Sequence, residues 1–551
     1  MAILAEAKLS QAENELPVER SQVNLVGILA GAFLVAYIFL GYYLIFIRQA
    51  YTTDSLARLT SAWLVFQGAE MKLTTIGFVW PPIPTLVLLP LAAFQSLVFS
   101  FMAPVIVSAL CMVLSMILIG HLASACGLNR TWQVLVVLLF AVNPLIILFA
   151  VNGMSEALLV VFSLAALFWL VRFHQTNQNT YMMFSGLFFG LLPLIRYESI
   201  ILSFAGCALV LAVSWENSAE MPLNKFRQFM EGRLLAFSSL VIYPIFLWML
   251  ANALIMGNPI YFLTDVESAS SVLHIELGAA NVQTDTLSVF RLLFGSWTVM
   301  FPLGVLGTLL LVMIGIRKKS WFLTGFGLLP LIIPVTQFLL VMRESSVPRF
   351  RYLMLAMPLG LAVMLVAIKY LQPRLRRVRW GEPGLLGFIL ILFMLSNFLT
   401  YQTLVTYPLP DQEQKSWYGL AGGGEYKVRS VIEAFQLGRQ LETIIPPGER
   451  VLVGLEDGFA VVLGARDPGL FMDHTDPDFQ AAVRNPPAYV DFLLIPKNDY
   501  KQALNILNRV HPYLHERGAP WVELVDVLPK TENQWKLYRV IRSTSPASLI
   551  Q

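Results

Sequence analysis

Asp54 follows closely on the first long apolar run of the chain, Val23 to Phe46, and is flanked by Arg48 and Arg58. At the start of a helix a carboxylate stays ionised, because the free N–H groups and the helix dipole favour its charge. An ionised carboxylate is what a general base must be. The same residue type also does plain structural work there as a helix cap, and the spacing alone leaves both readings open.

Three further stretches carry charge beside apolar sequence. "NPLIILFAVNGMSEAL" (Asn143 to Leu158) places Glu156 at the start of an apolar helix, and "LIRYESI" places Arg196 and Glu198 between two apolar runs. Ionised groups near hydrocarbon are costly, so they are functional candidates by default. A purely structural pair of Arg196 with Glu198 or Glu156 is the alternative, and Ser155 with Glu156 has the types of a helix cap. "RESSVPRFRYLMLAMP" supplies Arg343, Arg349 and Arg351, with Tyr352 beside them. One such arginine is explained by snorkelling to lipid phosphates; three within nine residues suit a phosphate or pyrophosphate ligand.

The elements that must hold these groups are membrane helices. The 551-residue chain is 57% hydrophobic and only 13% charged, against about 25% charged for soluble domains. Runs near 23–46, 103–125, 131–150, 156–171, 180–195, 199–214, 235–255, 294–316, 321–342, 351–371 and 384–402 predict about eleven transmembrane helices. Residues 80–101 are also apolar but hold Pro81, Pro82, Pro84 and Pro90, so they read as a surface or re-entrant piece, with "FVWPPIP" a rigid turn. The net charge of +3 gives no sign of nucleic-acid binding.

Alternate loops carry Arg130; Arg172; Lys225, Arg227 and Arg233; Arg317, Lys318 and Lys319; and Arg374, Arg376, Arg377 and Arg379. By the positive-inside rule these loops are cytoplasmic. The N-terminal segment 1–22 is then cytoplasmic as well, and the first apolar run is a retained signal anchor. Residues 23–402 form the membrane domain, with a large first outer loop at 47–102. Asp54, Glu156, Glu198, the loop at Gly257–Pro259, and Arg343 to Tyr352 all share the outer side. From Asp54 the residues Leu56, Leu59, Trp63 and Phe66 recur on one helical face, predicted to lie in the membrane interface.

Residues 403–551 have the composition of a soluble α/β domain on the same outer side. A Gly-rich linker, "GLAGGGEY", leads into a helical pattern that weakens at Gly438. Strands are predicted at "RVLVGL", "AYVDFLLIP", "WVELVDVL" and "WKLYRVI", with a helix near Tyr500–Val510. Cys111, Cys126 and Cys207 all fall in or beside apolar runs, so this domain must fold without disulfides. His511 and His515 have the spacing of a zinc pair but lack further ligands in pattern.

Taken together these pieces resemble the GT-C class of integral membrane glycosyltransferases. That class includes the protein O-mannosyltransferases, the lipid A aminoarabinose transferase and the actinobacterial arabinofuranosyltransferases. The matching features are Asp54 in a large first outer loop, "WPPIP" where relatives carry a Pro-Pro segment, "NPLIILFAVNGMSEAL", "GLFFGLLPLIRYES", "GNPIYF" and "RFRYLMLAMP". The C-terminal part looks like the tail of bacterial family-39-type members.

The resemblance implies a polyprenyl-phosphate-linked sugar donor and a glycan, lipid or protein acceptor. It implies an inverting displacement with Asp54 as base. Arg349, Arg351 and Arg343 would hold the donor phosphate, and Glu156, Arg196, Glu198, Arg58 and Tyr352 the rest of the substrate. It also implies a multi-pass protein of the bacterial inner membrane. Many relatives carry two adjacent acids in the first loop, whereas Ser55 follows Asp54 here. No cofactor is therefore expected, and a divalent metal has no paired-acid motif behind it. The rival readings are a polytopic transporter or lipid-linked sugar flippase, and a membrane scaffold. A transporter places charge near the midplane of paired halves; here it crowds one face.

Overall fold

The computed structural model describes residues 20–67, 73–218, 221–264, 285–343, 345–375, 377, 381–406, 417–418, 420–421, 429–474, 476, 478–497, 505–528 and 535–541. Most of the N-terminal segment, most of the Gly-rich linker, Arg376, Arg379 and the start of the helix expected near Tyr500 lie outside them.

Apolar length builds the membrane part. Helix α1 is Arg20–Tyr42, closing in a π-helical turn Tyr43–Ile47. After it come α2 (Thr53–Gln67), α3 (Ile83–Ala92), α4 (Met102–Ala125), α5 (Arg130–Ala141), α6 (Pro144–Val151), α7 (Glu156–Thr176) and α8 (Asn179–Leu191). Then follow α9 (Ile200–Ser218), α10 (Leu223–Met256), α11 (Thr286–Met300), α12 (Pro302–Lys318), α13 (Trp321–Met342), α14 (Ala356–Leu375) and α15 (Gly381–Thr406).

Eight helical segments among the described residues are long and apolar enough to cross a membrane, or ten if each of two bent pairs is one span. Both bends fall at prolines, which cannot donate to the helix ladder. Asn143 and Pro144 turn α5 into α6 by 64°, and Pro302 turns α11 into α12 by 91°. The Met300 carbonyl at the sharper bend accepts from the Ser396 and Thr400 hydroxyls at 2.6 and 2.9 Å. Of the eleven segments expected, 180–195 is the short one: α8 has 13 residues and ends in a 3-10 turn, Leu192–Leu194. Residues 83–99 form α3 and a helical turn, Gln95–Phe99, with Phe94 between them, too short to span.

The C-terminal part is a five-stranded sheet of order β2-β1-β3-β5-β4. Its strands are β1 (Val451–Val453), β2 (Phe471–Met472), β3 (Phe492–Pro496), β4 (Val522–Leu528) and β5 (Trp535–Val540). β1 pairs parallel with β2 and β3, and β5 runs antiparallel to β3 and β4. Four of the strands form where the sequence pattern placed them; two-residue β2 was not foreseen. One face packs on α18 (Phe479–Arg484) and α19 (Ile506–Val510) through Leu452, Leu493 and Tyr538. The other face meets α16 (Arg429–Ile444) and α17 (Leu455–Gly464).

Here the structure departs from expectation. Leu56, Leu59 and Trp63 of α2 do not face a membrane interface, whereas Phe66, the fourth residue of that face, is exposed. The first three are buried with Phe101, Ala103 and Val105 on one side and with Leu437, Val461 and Leu494 of the sheet domain on the other. The Thr60 hydroxyl comes within 3.3 Å of the Phe459 carbonyl of α17. Helix periodicity shows which face is apolar; it does not show what covers that face.

Helix α16 also runs through Gly438 rather than weakening there. A Cβ on Gly438 would strike the Val461 carbonyl of α17, and one on Gly464 would strike the Phe435 carbonyl of α16. Gly438→Ala sets a helix-propensity gain of about 1 kcal/mol against a backbone clash costing roughly 1–3 kcal/mol. The clash should win, and thermal unfolding of the purified protein should show a lower transition. A rise would mean that α16 and α17 are further apart than described.

Candidate active site

The chain turns sharply between α1 and α2. Gln49 takes a left-handed φ of 53°, and the Ala50 amide donates to the Leu44 carbonyl at 3.0 Å. Residues 53 onward then start a helix, with Asp54 in its first turn. The Thr52 hydroxyl lies 2.7 Å from Ser55 Oγ and 3.0 Å from the Asn152 carbonyl, which ties this start to the loop before α7.

That loop, "NGMSE", needs its glycine. Gly153 has φ of 75°, and a Cβ there would lie 2.5 Å from Pro104 Cβ and 3.1 Å from Ser55 Cβ. The close approach sets Glu156, first residue of α7, beside the Asp54 helix. The Glu156 side chain is 3% exposed and ion-paired to Arg196 at 2.5 Å. Ser155 makes no side-chain cap bond, so the capping reading fails at that residue. Glu156 Oε2 is buried with no hydrogen-bond partner among the described residues.

Arg196 also reaches Glu198, at 2.6 Å from Nε. Both structural pairings weighed from the sequence therefore exist at once. Arg351 donates from Nη1 to Asp54 Oδ2 at 2.8 Å. The Arg351 side chain is 7% exposed and that of Asp54 27%. Tyr352 is shared by both arginines: the Arg196 and Arg351 guanidiniums lie 5.0 and 5.4 Å from its ring centre.

Electrostatics follow from this pairing. Burial works to raise the Asp54 pKa, but the charge and hydrogen bond of Arg351 outweigh it, helped by Arg58 and Arg349, and the carboxyl falls to about 2. Burial lowers Arg58 to about 10, with Asp54 opposing that fall and Arg196 adding to it; Arg58 still carries its charge at neutral pH. Burial likewise works against the Arg196 charge, yet Glu198 and Glu156 outweigh it and hold its pKa above the usual arginine value.

Glu156, Arg196, Glu198, Arg351 and Tyr352 line the polar end of a narrow groove. Its walls are apolar: Leu159 of α7, Ile201 and Leu202 of α9, Ile332 and Ile333 of α13, and Met354 and Leu355. Asp54 is not in the lining; it joins the groove through Arg351. The structure thus brings together Asp54, Arg58, Glu156, Arg196, Glu198, Arg351 and Tyr352, with Arg349 near enough to act on Asp54. Arg343, at the end of α13, is exposed and belongs to none of the ion pairs among the described residues.

One neighbour was read from sequence only as part of a rigid turn. Trp80 is 48% exposed, and the Arg58 guanidinium lies over its ring at 5.7 Å. An exposed tryptophan in a proline-rich turn has no periodicity to mark it. Among the described residues no three His, Cys, Asp or Glu side chains are grouped to hold a metal ion. His511 Nε2 instead lies 2.8 Å from the Val483 carbonyl.

Comparison with known proteins fits this geometry. Residues 82–248 match the model of the dolichyl-phosphate-mannose-protein mannosyltransferase family, a segment holding Glu156, Arg196 and Glu198. The crystal structure of ArnT from Cupriavidus metallidurans bound to undecaprenyl phosphate superposes with a TM-score of 0.51 at 12% identity, covering 94% of this chain and 98% of that one. The apo state of the same protein gives 0.48 at 12% identity, covering 93% and 98%. No curated protein matches the chain. The chain has the GT-C fold, a polytopic helical membrane architecture with a small C-terminal sheet region.

Two outcomes follow from this geometry. Gly153→Ala should destabilise the protein by roughly 1–3 kcal/mol, whereas Gly127→Ala should cost less, since Gly127 shares the φ of 75° but has nothing within 4 Å of its Cβ position. Equal losses in thermal unfolding would remove the tight packing as the cause. Separately, the Asp54 pKa is depressed, so the stability it contributes is present above the unfolded carboxyl value of roughly 4 and is lost as pH falls toward about 2. Over that acid window the melting temperature of the wild type should fall towards that of Asp54→Asn. Parallel curves would mean that the pair contributes no such stability.

Proposed function

We propose that the protein is a glycosyltransferase that moves a sugar from a polyprenyl-phosphate donor to an acceptor hydroxyl at the outer membrane face. The observation that carries this reading is the two-part groove: arginines paired with carboxylates at one end, hydrocarbon walls along the rest. A lipid phosphate has the same two parts. The isoprenoid would run along Ile201, Ile332 and Met354, and the phosphate would meet Arg351 and Arg196, with Arg349 close by.

The paired resting state has a chemical consequence. A carboxyl with a pKa of about 2 is a poor base. A donor phosphate that draws Arg351 to itself weakens the Arg351–Asp54 pair, and the Asp54 pKa climbs back towards the ordinary carboxyl range. Asp54 then takes the proton of the acceptor hydroxyl as that oxygen bonds to the anomeric carbon in line. The bond from that carbon to the phosphate oxygen breaks, its electrons leave with the polyprenyl phosphate, and the anomeric centre inverts. The arginines stabilise the growing negative charge of the leaving phosphate. Glu156, with Oε2 unpartnered on the groove lining, accepts a hydrogen bond from a sugar hydroxyl. No step in this reading is routed through a metal.

Sidedness in this reading comes from charge. Arg172 near the end of α7 and Arg374 near the end of α14 stand at the far ends of helices whose other ends meet the site. Basic residues favour the cytoplasmic side, which puts Asp54 and the sheet domain outside. The acceptor is a glycan, a lipid or a protein.

The test is transfer from labelled polyprenyl-phosphate sugars in membranes carrying wild-type protein or Asp54→Asn at matched expression. Transfer should fall by about 10²–10⁴-fold in the variant, with donor binding kept. Undiminished transfer would remove Asp54 as the base. Wild-type protein that carried the lipid-linked sugar across vesicle membranes without transferring it would favour the flippase reading.

A further inference from the structure

The segment Phe78 to Pro82 is held rigid from both sides, and Trp80 is the residue it presents. Phe78 is buried and stacks on Trp248, with ring centres 5.0 Å apart and planes 3° from parallel. The Val79 carbonyl accepts from the Tyr197 hydroxyl at 3.3 Å, and Tyr197 in turn accepts from Trp248 Nε1 at 3.2 Å. Downstream, Pro82 is the N-cap of α3, and the Pro81 carbonyl accepts from Arg58 Nη1 at 3.3 Å. With its neighbours fixed, the Trp80 indole stays 48% exposed.

Two other large indoles, Trp215 and Trp321, are at least as exposed. They sit near the end of α9 and at the start of α13, away from the site, where an aromatic belt at the membrane surface explains them. Trp80 differs because it packs on Arg58, four residues after Asp54 on α2. Residues at that spacing lie on one helix face, one turn and about 5.4 Å apart. The charges of Glu156 and Arg196 are also felt at Arg58. Arg58 therefore joins the exposed aromatic face to the helix that carries the acid and feels the charges at the polar end of the groove.

We propose that Trp80 is the platform on which the sugar ring of the donor stacks. This inference rests on the donor reading above. Sugar rings present a face of C–H groups with partial positive charge, and an aromatic face carries negative charge density that attracts it. The Arg58 guanidinium holds the indole in place and adds its donors beside the ring hydroxyls, while Glu156 Oε2 offers an acceptor from the groove side. A phosphate at Arg351 and Arg196 with its sugar over Trp80 would put the anomeric carbon within reach of Asp54.

The measurement compares dissociation constants of the purified protein for bare undecaprenyl phosphate and for undecaprenyl phosphate carrying glucose, mannose, galactose or arabinose. In the wild type the best sugar should tighten binding over the bare lipid. Trp80→Ala should lose roughly tenfold of that sugar increment while binding the bare lipid as before, and Trp80→Phe should keep most of it. An increment unchanged in Trp80→Ala would overturn the proposal. So would an equal weakening for bare and sugar-bearing lipid, which would make Trp80 a structural or belt residue. Wild-type protein that binds bare and sugar-bearing lipid alike would sink the platform alone. Wild-type protein that binds none of these lipids would sink the donor reading with it.

Discussion

Burying ionised groups at the end of a hydrocarbon-filled bundle is tolerable only if each meets an opposite charge. In this molecule that requirement joins segments far apart in sequence. Asp54 is held by Arg351, 297 residues away, and Glu156 by Arg196, 40 residues away. Unpaired, any one of these charges would cost several kcal/mol, far more than a surface pair is worth. The start of α2, the α6–α7 loop, the start of α9 and the turn before α14 therefore converge, because their charges are stable only together.

In the proposed reaction the same pairing would set the chemistry. A cation that neutralises the acid also weakens it as a base. Under that proposal, Arg351 alternating between Asp54 and an incoming phosphate would let binding of one reactant prepare the group that acts on the other. Glu156 is treated differently. One of its oxygens is committed to Arg196 and the other is buried without a hydrogen-bond partner among the described residues, an exception to the rule that buried acceptors are satisfied.

Much of this was legible in the sequence. Asp54, Glu156, Arg196, Glu198 and Arg351 stood out because charge is conspicuous against apolar runs, and alternating basic loops put them on one side. Arg343 was drawn in by its nearness to Arg349 and Arg351, but it caps the end of α13, while the chain between turns the other two inward. Sequence spacing cannot show that turn. The bend at Pro302 was hidden because the apolar run continues through it, and the cover of α2 because a hydrophobic face looks the same whether lipid or protein packs on it. Four strands were readable from alternation, whereas β2 is too short to alternate.

The cover of α2 has a consequence of its own. Leu59 and Trp63 belong at once to the membrane bundle and to the core beneath the sheet, so the helix that carries the acid is a wall common to two rooms. A chain stopped at Thr406 would bare that wall to water, and a different domain grafted in the same place would have to reproduce the footprint of Val461 and Leu437. The two parts cannot be exchanged as modules. Any strain that opens the sheet from the bundle falls on the helix that carries Asp54.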